Sequence, residues 1–167
     1  VDVPDGTHEG DLQKLIALFQ FPVLEANRRA QDALFSLGEK AVPALVEALG
    51  SWDGKTWAQA QQVLIRLGAK AQPGVVAALS HPELYVRVHA REILPRFDAK
   101  GAVPPLVAAL RAPASLDRAT AAEALGRLGA KESAPAIRAL LDEVDFDAVA
   151  AAARALAMME DRDSVPR

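Results

Sequence analysis

There is no cysteine among the 167 residues. That absence removes thiolate catalysis, a cysteine-based zinc site and any disulfide framework, and it leaves the compartment open, leaning to the cytoplasm. Histidine is nearly as scarce: His8, His81 and His89 stand at no metal-ligand spacing, and neither an HExxH pattern nor a glycine-rich phosphate loop occurs. No catalytic residue, metal or cofactor is therefore expected. There is no excess of positive charge, since 19 Lys and Arg stand against 22 Asp and Glu for a net charge of -3. A nucleic-acid binder usually carries a basic footprint, so nucleic acid is not expected as a partner. Apolar runs all fall short of the roughly 18 residues that a membrane span needs, and no membrane role follows. Aromatic residues make up only 5% of the chain, which suits closely packed, alanine-rich helices. The first residue is Val and no signal-peptide core is present, which predicts a chain processed or excised from something longer.

What the chain has in abundance is itself. Leu34, Leu64, Leu94, Leu125 and Leu156 recur at spacings of 30, 30, 31 and 31 residues. Ala30, Ala60, Ala90, Ala121 and Ala152 precede each Leu by four positions, and Leu37, Leu67, Phe97, Leu128 and Met159 follow by three. A proline column, Pro43, Pro73, Pro104, Pro135 and Pro166, comes next. A fixed period of this length is the signature of a solenoid.

Each unit reads as two helices, A and B. In A, the spacing i, i+4, i+7 puts the Ala, Leu and Leu columns on one stripe. Its other positions, among them Arg29, Asp32, Gln59, Gln62, His89, Glu92, Thr120 and Glu123, predict a wet outer face. Gly38, Gly68 and Gly129 follow the A stripe where a left-handed C-cap residue belongs, with Asp98 in that place in the third unit. The prolines then sit in the first turn of B, where a missing N–H costs nothing. Pro95 falls inside an A helix and predicts a kink.

The periodicity assigns residues 1–10 to a flexible lead-in and 11–167 to a single array. Its units run approximately over 23–50, 55–80, 84–111, 116–142 and, in part, 147–167. The fold class is all-α, an α-α superhelix of about four full two-helix repeats with a half repeat at each end. Shifting the B pattern back by 30 gives Leu12, Leu15, Ile16 and Phe19, a B helix without its A partner. At the other end Leu156 and Met159 are expected to lack a B partner. Uncovered apolar ends predict weak end-to-end self-association.

The segment Asp117 to Leu141, "DRATAAEALGRLGAKESAPAIRALL", resembles the short HEAT-like repeats of the PBS-lyase type. "YVRVHAREIL" (Tyr85 to Leu94) keeps their Val-Arg pair at Val86 and Arg87. The acid that follows Leu-Gly in that family is kept as Glu39 but replaced by Ala69, Ala99 and Ala130. The Arg of Arg87 and Arg118 is replaced by Asn27, Trp57 and Val149, so a hydrogen-bonded ladder between repeats is expected to be incomplete. The resemblance implies a non-catalytic scaffold or adaptor that binds a protein or peptide on its concave B-helix surface. It also implies two enzyme-class alternatives, a subunit of a bilin lyase-like enzyme and, more remotely, a HEAT-like DNA glycosylase.

Three features are candidates for contact. Positions of B turned away from the stripe form a strip of small side chains: Ala44, Glu47 and Ala48; Gly74, Ala77 and Ala78; Pro105, Ala108 and Ala109; Ala136, Ala139 and Leu140. At about 10 Å per repeat the strip would make a groove roughly 40 to 50 Å long. Alanine as the cheapest helix former is the competing reading. The second candidate is the pair Trp52 and Trp57, as interface anchors. Trp52, flanked by Gly50 and Gly54, is the one expected to be exposed, and packing of Trp57 over its own repeat is the competing reading. The third is a cationic column, Lys40, Lys70, Lys100, Lys131 and Arg162, for which complementing the helix A dipole is the stronger explanation. Asp53, Glu83, Asp117, Asp142, Glu143, Asp145 and Asp147 are read in the same way, as acids at solvated helix starts.

Overall fold

The computed structural model describes residues 9–21, 24–97 and 100–164. Among these the regular structure is helical throughout, without a strand. The helices are α1 Glu9–Ala17, α2 Leu24–Leu37, α3 Val42–Ala48, α4 Gly54–Leu67, α5 Gln72–Ala77, α6 Leu84–Ile93, α7 Val103–Ala109, α8 Ser115–Leu128, α9 Ala134–Arg138 and α10 Phe146–Ser164. The even-numbered helices are the A elements and the odd-numbered ones the B elements. The first helix begins at Glu9, inside the segment read as a lead-in. Residues 1–8, Asp98, the Val165–Arg167 segment and the side chain of Arg162 lie outside the described residues.

The alternation follows from local chemistry. Gly38, Gly68 and Gly129 close helices α2, α4 and α8 at φ values of +59°, +58° and +66°, a region that a Cβ disfavours. At Gly129 the chain folds back so that the Ala130 N–H donates to the Leu125 carbonyl at 3.1 Å, a Schellman-type closure. Pro43, Pro73, Pro104 and Pro135 then occupy the first turn of α3, α5, α7 and α9. None of these four has a side-chain cap hydrogen bond, as the loss of most of the acids predicts. These four B helices are short, five to seven residues. Pro95 acts differently from the expected kink. It ends α6 at Ile93 and starts a 3-10 turn over Leu94–Arg96, because without an N–H it closes no i→i−4 bond.

The chain divides within α6 into two compact units, Val1–Ala90 and Arg91–Arg167. In the first unit the A stripe is the core: Ala30, Leu34, Ala60, Val63 and Leu64 are fully buried, together with Leu45, Leu49 and Val75 of the B helices. The lone B helix at its start is not bare. Helix α1 packs against α2, α3 and α4, so Leu15 and Phe19 are fully buried, Ile16 is 7% exposed and Leu12 is half-buried. A B helix is flanked by the elements that follow it as well as by its own A helix, and here α2, α3 and α4 together cover the stripe. This removes the premise of self-association through these four side chains.

In the second unit α10 packs chiefly on α8. Ala121, Ala122, Leu125, Ala148, Ala151, Ala152 and Ala155 are fully buried between them or beside them. Alanine stripes let the backbones come close, and at Gly126 they nearly touch: a Cβ there would lie 2.7 Å from Ala155 Cα. Met159 is buried as well, at 4% exposed, leaving Leu156 half-buried. The same unit buries charge. Arg91 (1% exposed) forms an ion pair with Asp117 (2%), so Asp117 is not a solvated helix-start acid. Burial of a carboxylate is tolerated when a guanidinium satisfies it.

Candidate partner-binding site

The strip of small B-helix residues sorts into two columns. Glu47, Ala77, Ala108 and Ala139, one per unit, are all exposed, and Ala44, Gly74, Pro105 and Ala136 are all half-buried. Ala48, Ala78 and Leu140 face inward instead, at 8%, 3% and 2% exposed. In a short helix that packs on neighbours at both sides, only one column is left to solvent. Gly74 has a packing role as well: the place of its missing Cβ is taken by Val42 Cγ1 of α3, so this glycine lets α3 and α5 approach.

In the second unit Ala136 and Ala139 of these columns border a concavity. Between α7 and α9 lies a slot of about 320 Å³, lined by Val107, Leu110, Ala136, Ala139 and Leu140 together with the charged Arg111, Arg118 and Glu143. Arg118 donates to the carbonyls of Ala112 (2.8 Å) and Pro113 (2.9 Å), and to the carboxylates of Glu143 (3.0 Å) and Asp145 (2.7 Å). Asp145 in turn accepts from the Asp147 amide at 3.1 Å at the start of α10. The polar side chain of Ser115, then hydrogen bonds from the amides of Ala148 and Asp147 and the charge of Arg118, hold its carboxyl below the ordinary range against an opposing effect of burial. A second concavity of about 320 Å³ lies between α9 and α10, lined by Ala134, Pro135, Leu156 and Met159 with Lys131, Arg138 and Glu160 at its rim.

In the first unit Trp52 lies in the B-to-A loop before α4 and Trp57 inside α4 near its start. Trp52 is 86% exposed, as expected, and meets Tyr85 at 5.2 Å between ring centroids and 66° between planes. Trp57 does not lie over its own repeat. Its half-buried ring stacks on His89 of α6 at 4.2 Å and 13°. His89 is accordingly buried rather than on a wet face, with Nδ1 2.7 Å from the Leu49 carbonyl oxygen. Asp53 caps α4, accepting from the Thr56 amide (2.9 Å) and hydroxyl (2.7 Å). The hydroxyl bond is the largest cause of a carboxyl held below its ordinary range, burial opposing it. Nearby, His81 Nε2 is 3.2 Å from Glu47 Oε1.

The HEAT repeats family matches residues 72–157, just over half of the chain. The chain belongs to the HEAT repeat family. Solved structures agree on the fold. A chain of the complex of CpcE and CpcF of phycocyanin lyase from Nostoc sp. PCC7120 is 26% identical with a TM-score of 0.57, over 92% of this chain and 66% of that one. Human deoxyhypusine hydroxylase is 20% identical with a TM-score of 0.58, over 92% and 64%. A designed armadillo repeat protein is 16% identical with a TM-score of 0.50, over 93% and 88%. The chain thus spans slightly less than two thirds of the first two. No curated protein matches the sequence.

Within the HEAT-repeat register, the entry residues of the A helices acquire a structural role. Arg87 and Arg118 each reach back six residues to a loop carbonyl, His81 and Ala112 respectively, both at 2.8 Å. Asn27 makes the same six-residue reach to Phe21 at 2.9 Å, so this substitution keeps the tether that Trp57 and Val149 lose. Tyr85 was missed as a contact residue, although it stands two positions before the Arg87 anchor at the start of an A helix. Val144 (105% exposed) and Phe146 (88%) were missed too. They flank Asp145 as Trp52 precedes Asp53, and a bulky apolar residue beside a capping acid in a B-to-A loop is the signal that would have found them. Lys40, Lys70 and Lys131 are exposed and lie in the 3-10 turns after helices α2, α4 and α8.

Proposed function

We propose that this HEAT-repeat chain is a non-catalytic protein-interaction module that receives a partner segment on the exposed B-helix column, with the Trp52 loop as a second contact. The observation that carries the reading is the slot between α7 and α9, where small and apolar residues are joined by Arg111, Arg118 and Glu143 and where Arg118 is already braced by its hydrogen bonds. Ala108 and Ala139 are exposed, so their identity is not required by the core, and an unfunctional solvated helix face would ordinarily carry charge there. A recess of a few hundred cubic ångströms takes one or two side chains of a bound segment. Ala44, Glu47, Ala77, Pro105, Ala136 and Trp57 are the flanking contributors in this proposal, and Gly74 acts by packing.

The test is display of a random peptide library against the full chain, followed by measurement of the selected peptides on Ala108→Arg and Ala139→Arg variants. Both sites are exposed, so circular dichroism should be unchanged while binding falls by about tenfold or more. Selected peptides that bind both variants as tightly as the parent would refute the groove reading.

The likeness to a chain of the phycocyanin lyase complex favours one second reading, in which the module is a subunit of a bilin-attaching enzyme and its protein partner is the other subunit. A visible chromophore that copurifies when bilin is supplied would favour it. Peptide binding without chromophore uptake would favour the adaptor reading.

A further inference from the structure

We propose that the corner formed by Trp52 and Tyr85 binds a cationic side chain, an arginine or lysine offered by a basic segment of the protein partner. The inference rests on the reading of the chain as a protein-binding module and names the chemistry of one contact. Trp52 buries almost none of its surface, at 86% exposed, so core packing does not account for an indole at this position. Tyr85, 39% exposed, stands at 66° to it with centroids 5.2 Å apart. At that angle the rings make an open corner rather than a closed stack. The Tyr85 wall is backed by His89 at 6.4 Å and 29°, itself stacked on Trp57, so one side of the corner is braced by buried structure.

Aromatic faces carry negative potential and attract a guanidinium or ammonium placed over them. The acids beside the corner, Glu83 and Asp53, add to that attraction. Glu83 is exposed, and its carboxylate lies against the foot of the Trp52 loop: a Cβ on Gly50 would come within 2.7 Å of Glu83 Oε2. Asp53 adjoins Trp52 in sequence. Of the nearby cations, Arg87 spends its guanidinium on the carbonyls of His81 and Pro82, both at 2.8 Å, and Lys55 is exposed on the far side of Asp53 in sequence. A proline-rich segment would also stack on two rings but would draw nothing from Glu83. An acidic segment would be repelled by it.

The chain holds two tryptophans, so its ¹⁵N spectrum has two indole N–H signals, and Trp52→Phe assigns them. Three synthetic peptides of equal length, bearing arginine, proline or glutamate, are titrated into the full chain. The arginine peptide should move the Trp52 signal saturably, and less so at high salt. Trp52→Ala should weaken its binding about tenfold and Glu83→Gln a few-fold, with circular dichroism unchanged in both. Equal or tighter binding of the proline or glutamate peptide, an unmoved Trp52 signal, or full affinity in Trp52→Ala would each overturn the proposal. If display-selected peptides still lose binding on Ala139→Arg in that event, the module reading stands and only this assignment fails.

Discussion

Replacing Gly126 by Ala tests the closest helix contact in the second unit with a single methyl group. On an isolated helix the change is favourable, because Ala exceeds Gly by about 0.8–1.0 kcal/mol in helix propensity. Here the added Cβ would stand 2.7 Å from Ala155 Cα, 3.0 Å from its Cβ and 3.2 Å from its carbonyl oxygen. Carbon atoms in contact want about 3.5–4.0 Å, so α8 and α10 must separate by about 1 Å. The obstructing atoms are backbone and cannot swing aside. Overpacking of this kind costs typically 1–3 kcal/mol, and the upper part of that range applies where a whole helix must move. Set against the propensity gain, the expected net loss is about 2 kcal/mol. Urea unfolding followed by circular dichroism should show a lower midpoint at an unchanged slope. Two further variants sharpen the result. Gly54→Ala, whose Cβ would find only Trp57 Nε1 at 3.8 Å, should be neutral or stabilising. Adding Ala155→Gly to Gly126→Ala removes the Cβ contact but leaves Cα in place, and should restore only part of the loss. A Gly126→Ala protein as stable as its parent would refute the reasoning.

The buried pair gives a second prediction: Asp117→Ala removes the carboxylate that the buried Arg91 guanidinium faces and should cost about 3–5 kcal/mol, whereas Arg91→Met with Asp117→Leu should recover much of it, both read by urea unfolding. A third concerns pH. Asp53 and Asp145 have folded pKa values below the ordinary aspartate value, so their contribution is present above about pH 3.9 and is lost as pH falls through the depressed values. Between neutrality and that point the stability of an Asp53→Ala, Asp145→Ala protein should lie below the parent's by a constant amount, and the two curves should converge in acid.

The fold was legible because a repeat states each instruction several times. A Leu column at a period of 30 or 31, a glycine after it and a proline after that specify helix, stop and helix start by independent local mechanisms, and the turns from Gly38 to Pro43 and from Gly68 to Pro73 repeat at the same spacing. Departures from the reading arise where tertiary neighbours decide. His89 and Arg91 have the sequence character of surface residues, yet Trp57 and Asp117 supply a stacking partner and a countercharge that make burial tolerable. Leu15 and Phe19 looked uncovered because the two-helix unit was counted as the element of burial, when in a solenoid the interface between neighbours does as much.

The candidate site was legible only as columns. Composition marks the B helices as rich in small residues, but which column faces solvent depends on how far each short helix is rotated against its neighbours. In this protein that rotation leaves Glu47, Ala77, Ala108 and Ala139 outside and draws Ala78 and Leu140 in. The B-to-A loops have no such constraint. A loop residue beside a helix cap is held in place by the cap next to it, as beside Asp53 and Asp145, and its own side chain is free to vary without loss of fold. Bulky apolar residues at Trp52, Val144 and Phe146 are therefore not explained by the requirements of folding, and it is at such positions, rather than along the invariant-looking Leu and Ala columns, that a repeat protein can acquire a partner of its own.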